Sequence, residues 1–298
     1  MINQHTGLYI KQIAVAMMWG GTFVAGRILS QELPPLLSAV LRFSLASFLL
    51  VLLVFYTHKK WVFVSKKSLL ITALMGLTGI FAYNLFFFSA LAKIEAGHTA
   101  LFVSLSPILT VLFAQFLFNE KLKWLNYIGV ALAFFGTFIV VTRGDFATPL
   151  MQSIGLGELF MCGAVLSWVC YTLLNRKNTE LTPLLTITYA SLWGTLFLWL
   201  NTFLHLEIMH FKQIPLPQMM ALFYVGALGT VLSFIWYAQG IAQLGASKTV
   251  VFTNLVPVFA VLLSYLILDE KISWSMLVGG VLIFSGIYLT NKKFNKPT

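Results

Sequence analysis

The sequence predicts an all-α membrane protein with ten transmembrane helices, arranged as two five-helix repeats of inverted topology. Of its 298 residues, 59% are hydrophobic and only 9% are charged, whereas a soluble domain carries about 25% charged residues. The apolar residues fall in ten long runs, and the second half of the chain repeats motifs of the first half. Such a chain cannot build a polar surface, so its main solvent is lipid.

The ten runs approach the length of about 20 apolar residues that crosses the hydrocarbon core of a bilayer. Helix breakers and charges lie in the joints between them, as expected at membrane interfaces. We interpret the first run as a retained span, because it lacks a clear small-residue cleavage site. The runs cover residues of about 10–28, 36–56, 68–90, 96–118, 124–142, 154–174, 182–204, 217–242, 247–268 and 273–290.

Lys and Arg are concentrated in alternate joints. If the N-terminus lies inside, the inner joints hold most of them, including those at 59–60, 66–67 and 292–293. Positively charged loops stay in the cytoplasm, so we expect a multi-pass protein of the inner (plasma) membrane with both termini cytoplasmic. The net charge of +10 does not indicate nucleic acid, because the lysines form no basic domain.

One charged turn is written twice, as NEKLKW at 119–124 and DEKISW at 269–274. Pro107 and Pro257 lie 150 residues apart, as do Glu120 and Glu270. MWGGTFVAGR at 18–27 matches SWVCYTLLNR at 167–176 with an offset of 149. Five spans are an odd number, so the second copy starts on the opposite side of the membrane. We therefore predict inverted repeats at 10–142 and 154–290, and interpret both glutamates as interfacial partners of the adjacent lysines.

These copies resemble paired EamA domains of the drug/metabolite transporter superfamily. The resemblance rests on the proline in each fourth span, the NEKL and DEKI turns, and the glycine-bearing fifth spans YIGVALAFFGTFIVV and LVGGVLIFSGIYLT. It implies ten helices around a central cavity lined mainly by helices 1, 3, 4, 6, 8 and 9. It also implies a secondary transporter that works by alternating access, with efflux of amino acids or related metabolites as the expected function.

Two other functions stay open at this stage. One is uptake or exchange of a nucleotide-like, vitamin or S-adenosylmethionine-type solute by the same architecture. The other belongs to a different class, an integral membrane enzyme that acts on lipid, although the sequence shows neither clustered acids nor a nucleophile with a base. A structural or sensory subunit would not require matched prolines and glycines in both halves.

Polar and aromatic side chains within the spans are the candidates for substrate binding. Polar groups in hydrocarbon usually face the bundle interior or a cavity, and aromatic rings offer stacking faces. Simple packing is the alternative for each aromatic residue. This neutral, aromatic set favours a small zwitterion over a multiply charged phosphate. The candidates are Trp19, Tyr83, Asn84, Trp168, Tyr171, Tyr237, Gln239 and Asn254.

Pro107 and Pro257 predict kinks in the fourth and ninth spans. A proline within a helix removes one backbone hydrogen bond, here freeing the carbonyls of Val103 and Thr253. In lipid a freed carbonyl must be satisfied locally or must line a cavity. Neighbouring hydroxyl groups and Asn254 are close enough in sequence to do this, so a locally repaired kink and a contribution to the substrate site are both compatible.

Three basic residues are candidates for a gate or an anion contact. The planar fork of Arg42 suits a carboxylate or phosphate, but the residue lies near the outer end of its span and could instead reach the headgroups. His98 and Lys248 are repeat equivalents that start the fourth and ninth spans. Either could titrate or bind an anion, or simply lie at the interface.

Several absences limit the function further. No acidic residue lies at the middle of a span; Glu158, about a turn inside the sixth, is the nearest, so the coupling ion stays open. The chain has no phosphate-binding loop, and its five histidines share no metal-ligand spacing. We expect no enzymatic activity and no cofactor. The expected partners are a small-molecule substrate and the lipid bilayer, with no obligatory protein partner and with a homodimer left open.

Overall fold

A computed structural model describes residues 2–118, 124–145, 154–177, 180–204, 214–244, 252–253 and 255–291. These residues form helices and connecting turns, and no strand occurs among them. Seven of the helices are long and apolar enough to cross a membrane, and three shorter apolar helices begin at Ala96, Val256 and Trp274. The all-α fold class with ten spans is confirmed.

The ten spans are labelled α1 to α10, and α3, α4 and α8 are each built from more than one helical piece. The first helix is longer than its predicted span. The helices are α1 Ile2–Glu32, α2 Pro35–His58, α3 Lys66–Met75 with Gly76–Ala82 and Tyr83–Leu91, α4 Ala96–Val103 with Ser106–Phe118, α5 Trp124–Val141, α6 Leu156–Lys177, α7 Pro183–Leu204, α8 Leu216–Phe223 with Tyr224–Leu232 and Ser233–Leu244, α9 Val256–Leu268, and α10 Trp274–Asn291.

Helices α5 and α10 are repeat equivalents, and they pack closely in opposite directions. A Cβ atom added to Gly136 would lie 2.6 Å from the carbonyl oxygen of Gly279, and one added to Gly286 would meet the carbonyl oxygen of Gly129. The early residue of one helix thus contacts the late residue of the other. The pair is antiparallel, and the inverted topology of the two halves is confirmed.

Other contacts between the two repeats also occur in equivalent pairs. Gly79 of α3 lies against the ring of Tyr171 in α6, and its equivalent Gly229 in α8 lies against Thr22 in α1. Thr22 and Tyr171 are themselves equivalents at the 149-residue offset. Each third helix therefore packs on the first helix of the opposite repeat.

The middle of each third helix forms a wide π-helical segment, at Gly76–Ala82 in α3 and Tyr224–Leu232 in α8. The sequence analysis did not predict these segments. They occupy equivalent positions in the two repeats. π-helical turns are rare in proteins, and those that occur are often found at functional sites.

The core and the exterior of the bundle are both apolar. Phe87 and Phe88 of α3 and Leu29 of α1 are fully buried in the largest core cluster, whereas Phe116 and Val281 are exposed at the bundle surface. A helix that is apolar on all sides fits a lipid environment. Burial in this chain therefore reports helix packing and not simply hydrophobicity.

Two glutamates tie chain segments together at opposite faces of the bundle. On the N-terminal face, which holds the joints after α2 and α6, the carboxylate of Glu180 accepts hydrogen bonds from Ser65 at 2.8 Å, Ser68 at 2.9 Å and Lys67 at 3.1 Å. These hydroxyl groups, Ser65 first, and then Lys67 lower the pKa of Glu180 from 4.5 to about 2. The joint between α6 and α7 is thereby held to the start of α3.

On the opposite face, which holds the joints after α3, α5 and α9, Glu270 caps helix α4. Its two carboxylate oxygens accept from the backbone N–H groups of Ala96 at 2.9 Å and Gly97 at 3.2 Å. A helix N-terminus carries unsatisfied N–H groups and partial positive charge, so a carboxylate stabilises it. The interpretation of Glu270 as a partner of its adjacent lysine was wrong. Glu120 and its lysine lie outside the described residues.

The close α5–α10 contact predicts unequal costs for two adjacent alanine substitutions. Gly279→Ala would place its Cβ 2.6 Å from the carbonyl oxygen of Gly136, so the helices must separate. We expect a loss of roughly 1–3 kcal/mol, measured as thermal unfolding in detergent. Gly280→Ala is the matched control, since its Cβ meets only Leu101 at 3.7 Å. Equal stability of the two variants would contradict this packing.

The lowered pKa of Glu180 predicts a pH-dependent effect of Glu180→Gln. A carboxyl group with a lowered pKa in the folded state contributes stability near neutral pH, and this contribution is lost as the pH falls through about 2. Because the site is exposed, we expect a small reduction in thermal stability at pH 7 that weakens with added salt. Glu32→Gln at the end of α1 is the control. No difference between wild type and Glu180→Gln at neutral pH and low salt would exclude the contribution.

Candidate functional site

Arg42 of α2 lies inside the bundle and connects α2 to both third helices. Only 8% of the residue is exposed. Its Nη1 donates to Oδ1 of Asn84 in α3 at 3.0 Å, while Nε and Nη2 donate to Oγ1 of Thr230 in α8 at 3.4 and 3.3 Å. The alternative that Arg42 reaches the headgroups is therefore wrong.

The two partners of Arg42 are held by the π-helical segments. Thr230 donates its hydroxyl proton to the carbonyl oxygen of Val225 at 2.7 Å, and Nδ2 of Asn84 donates to the carbonyl oxygen of Ile80 at 2.7 Å. Both carbonyls belong to π segments, and Ile80 and Thr230 are repeat equivalents. With their donors used in this way, the oxygens of Thr230 and Asn84 remain to accept from Arg42.

The charge of Arg42 has only neutral partners in the part of the chain that the structure describes. The ion pairs found there join Lys67 to Glu180 and His98 to Glu158, and neither includes Arg42. A buried cation without a counter-charge is costly. The three bonds use three of the five guanidinium N–H groups, which leaves two N–H groups without a hydrogen bond to a described residue.

An aromatic group lies beside this polar centre. Tyr83 precedes Asn84 in α3 and lies within electrostatic range of Arg42. Its ring centroid is 5.3 Å from that of Trp168, which stacks on Tyr171 at 5.0 Å. The structure thus brings together four predicted site residues, Tyr83, Asn84, Trp168 and Tyr171, next to Arg42 or to one another.

A second aromatic group lies between α1 and α8, which are the repeat equivalents of α6 and α3. Trp19 of α1 lies 5.1 Å from Tyr237 and 5.5 Å from Phe234, both in α8. Trp19 and Trp168 are repeat equivalents, and each packs on the third helix of the opposite repeat. Aromatic side chains therefore line both the α1–α8 and the α3–α6 contacts, and the two tryptophans occupy matching positions.

Gln239 lies apart from both groups. Its Oε1 accepts from Nζ of Lys11 at 3.1 Å, and the neighbouring Gln12 donates to the carbonyl oxygen of Trp236 at 2.9 Å. These contacts lie toward the N-terminal face, where α1 starts and α8 ends. The assignment of Gln239 to the substrate cavity stays a prediction.

Helix α4 is interrupted at Ser104 and Leu105, just before Pro107, and the chain repeats this arrangement before Pro257. Leu105 N–H donates to Phe102 and Leu255 N–H donates to Phe252, each at 3.0 Å. The predicted interruptions are thus present in both halves, with the same hydrogen bond 150 residues apart.

Local repair of this interruption differs in detail from the expectation. The hydroxyl of Ser104 donates to the carbonyl oxygen of Ala100 at 3.3 Å and not to Val103. The buried hydroxyl of Ser106 has no hydrogen-bond partner among the described residues. Asn254 and Lys248 lie outside the described residues, as does the side chain of Pro107.

His98 is buried in the first turn of α4, so the interfacial alternative is wrong for this residue. Its Nε2 lies 3.6 Å from Oε1 of Glu158 in α6. Glu158 also accepts from the backbone N–H of Gly155 at 3.0 Å. This pair lies toward the face opposite the N-terminus.

A cavity of about 330 Å³ opens on the same face. Its charged residues of both signs could contact a zwitterion or a salt ion at the mouth of the bundle. The described residues contain no group of His, Cys, Asp and Glu suited to a metal ion. The cavity is lined by Arg27, Gln31, Glu95, Leu268, Asp269, Glu270 and Lys271.

The sequence analysis missed Thr230, both π segments and the contact of Glu158 with His98. Thr230 is a hydroxyl residue beside Gly229 in an apolar run, which does not distinguish it from other threonines. Glu158 was noted as the acidic residue nearest to mid-span, and His98 as a titratable residue. Only packing of α4 against α6 brings the two together.

The family comparison covers both halves of the chain. The EamA-like transporter family matches residues 8–142 and 155–292. A crystal structure of another protein is similar to this chain with a TM-score of 0.64 at 19% sequence identity, over 95% of this chain and 98% of that one. At that identity the likeness shows the fold alone.

Three relatives are similar over most of their length. The uncharacterized transporter YyaM of Bacillus subtilis is 28% identical over 95% of this chain and 93% of its own length. A probable amino-acid metabolite efflux pump of Salmonella typhimurium is 26% identical over 93% and 92%. A probable terminal-alkyne amino-acid exporter of Streptantibioticus cattleyicolor is 25% identical over 76% and 74%.

Proposed function

Because the chain belongs to the EamA-like transporter family, we propose that it exports a small zwitterionic amino acid or a related metabolite by alternating access. The family and the names of its relatives indicate a membrane transporter and not an enzyme. Two of those relatives are named as exporters of amino acids or their metabolites. The cargo class and the direction are the proposed part.

The observation that carries the proposal is the buried guanidinium of Arg42 with neutral protein partners. Two of its N–H groups are available to a carboxylate, which matches the guanidinium fork in shape and charge. A nucleotide-like cargo would bring several negative charges to a site with one described cation. A single carboxylate neutralises the charge of Arg42 and leaves no excess negative charge at the site.

The aromatic residues near Arg42 suit the remainder of such a cargo. Tyr83 stacks on Phe87 and Trp168 stacks on Tyr171. The remaining surface of these rings suits an apolar or aromatic side chain and attracts an ammonium group through cation–π interaction. Neutral surroundings of this kind favour an amino acid with an uncharged side chain. Phenylalanine is therefore the first cargo to test.

Alternating access is supported by the exchanged contacts of the two repeats. Each half packs on the other through equivalent residues, so the halves can exchange conformations with little net difference in energy. Glu180 ties segments on the N-terminal face, and Glu270 ties segments on the opposite face. Movement of the cargo requires these faces to open in turn.

We also propose that the protein lies in the inner membrane with both termini in the cytoplasm. The N-terminal face carries Lys59, Lys60, Lys66 and Lys67, and clusters of positive charge favour the cytoplasm. The expected orientation places Glu270 and the cavity beside it outside the cell.

The Arg42 site predicts loss of flux in two variants that keep the fold. Radiolabelled phenylalanine counterflow in proteoliposomes should be lost in Arg42→Met, and should fall about tenfold in Thr230→Val, which removes one partner of a buried charged group. Thr78→Val is the matched control, because Thr78 lies in the other π segment and donates only to Leu74. Thermal unfolding of each purified variant separates transport loss from misfolding.

Phenylalaninamide, which lacks the carboxylate, tests the role assigned to Arg42. We expect phenylalanine but not phenylalaninamide to compete for counterflow in the wild type, because only the carboxylate satisfies the guanidinium. Equal competition by the two compounds would remove the carboxylate from the proposal. Counterflow no greater than in empty vesicles, across a panel of neutral amino acids, would reject the proposed cargo class.

The proposed orientation predicts opposite labelling of two cysteine variants. Cys162 and Cys170 are first replaced by alanine, and Lys67→Cys or Lys271→Cys is then introduced. In intact cells a membrane-impermeant thiol reagent should label the cysteine at 271 and not the one at 67. The orientation is contradicted if both positions are labelled in intact cells. It is also contradicted if neither position is labelled before the membrane is disrupted.

A further inference from the structure

A histidine and a glutamate from opposite repeats lie side by side within the bundle. His98 is in α4 of the first repeat and Glu158 is in α6 of the second. Their side chains are only 5% and 8% exposed, and Nε2 and Oε1 are 3.6 Å apart. Two titratable groups are thus held together away from water, in helices that do not contain Arg42.

The gap between the two side chains is too long for a hydrogen bond. Among the described residues Nε2 of His98 has no hydrogen-bond partner. The other carboxylate oxygen of Glu158, Oε2, accepts from Gly155 N–H at 3.0 Å, which holds the carboxylate in place. A proton bound at Nε2 would convert this contact into a charge-assisted hydrogen bond, with a small closure of the gap.

The other ionisable groups around the pair carry both signs. The carboxylate of Glu270 and the guanidinium of Arg143 act on His98 in opposite directions, and Cys162 lies within electrostatic range of Glu158. Where α9 and α10 approach Gly97, their facing side chains are those of Ser264 and Met276, which are uncharged. The first turn of α4 disfavours an imidazolium, and the carboxylate of Glu270 on that turn offsets this effect.

We propose that His98 and Glu158 form a proton-binding site that couples cargo export to proton entry. The inference rests on the proposed transport function. Because one residue belongs to each repeat, separation of α4 from α6 must break the contact. Protonation of His98 strengthens that contact, so proton occupancy and conformation are linked.

The pair of His98 and Glu158 occurs once, although the fold contains two repeats. At the repeat offsets His98 corresponds to Lys248, and Glu158 corresponds to Tyr9. Lys and Tyr ordinarily titrate far above neutral pH, whereas His titrates near it. The sequence therefore provides a His–carboxylate pair in one repeat arrangement and not in its two-fold equivalent. Export against a concentration gradient requires an energy source, and protons entering from outside supply one.

The proton site can be tested without any cargo. Histidine-specific 15N labelling of the purified full-length protein in detergent allows the imidazole of each histidine to be titrated by NMR, and His98→Asn assigns the resonance. We expect His98 to take up a proton as the pH is lowered, and its titration midpoint to fall in Glu158→Gln, which removes the facing negative charge, but not in the control Glu32→Gln. A single protonation state of His98 at every pH at which the protein stays folded, or no effect of Glu158→Gln, overturns the proposal.

Coupling is tested in the proteoliposomes used for counterflow. With an acidic lumen, the wild type should accumulate radiolabelled phenylalanine against its gradient as protons leave. His98→Asn and Glu158→Gln should lose this accumulation but keep counterflow at equal pH, whereas the control His58→Asn should keep both. Accumulation retained in both site variants overturns the coupling.

The two proposals fail in different ways. Absence of counterflow in the wild type rejects phenylalanine as cargo, while the NMR titration still decides whether His98 and Glu158 bind a proton. Counterflow without any response to the pH gradient leaves the carrier intact and rejects the coupling.

Discussion

Hydrocarbon offers no hydrogen bonds, and this constraint shapes the whole molecule. Every backbone polar group within the spans must find a partner inside the protein, so the described spans are helical, and side chains bond the backbone carbonyls where a helix becomes irregular. In the two π segments, Thr230 bonds the carbonyl of Val225 and Asn84 bonds that of Ile80. The same two side chains then accept from Arg42. The same two side chains therefore satisfy the backbone carbonyls and hold the buried charge of Arg42.

Duplication produces a symmetric scaffold that carries asymmetric chemistry. The glycine contacts of α5 with α10, and of each third helix with the first helix of the other repeat, occur in equivalent pairs. The charged residues of the two candidate sites do not: Arg42 corresponds to Ala190, and Glu158 corresponds to Tyr9. Small residues allow close helix packing in both halves, while single-copy charges give the molecule distinct faces.

The residues of the proposed cargo and proton sites belong to different helices, but one helix, α6, contacts both sites. Arg42 connects α2 to α3 and α8, and the pair of His98 and Glu158 connects α4 to α6. Trp168 of α6 contacts Tyr83 of α3 beside the cargo site, so α6 contacts both groups. A shift of α6 that separates Glu158 from His98 therefore alters the aromatic surface near Arg42. This shared helix is the physical route by which proton occupancy can affect the cargo.

Sequence alone determined the environment, the ten spans, the duplication and its inverted sense, because apolar run length, charge placement and a 150-residue offset are properties of the chain in one dimension. It also identified most of the side chains at the candidate sites, including Arg42, Asn84, Trp168 and His98. Tertiary structure decided which of them meet: Arg42 turns inward to Thr230, Gln239 moves to the N-terminal face, and Glu270 caps α4. These outcomes depend on the rotation of each helix about its axis and on π turns. Both are set by contacts between distant residues, which hydropathy along the chain does not encode.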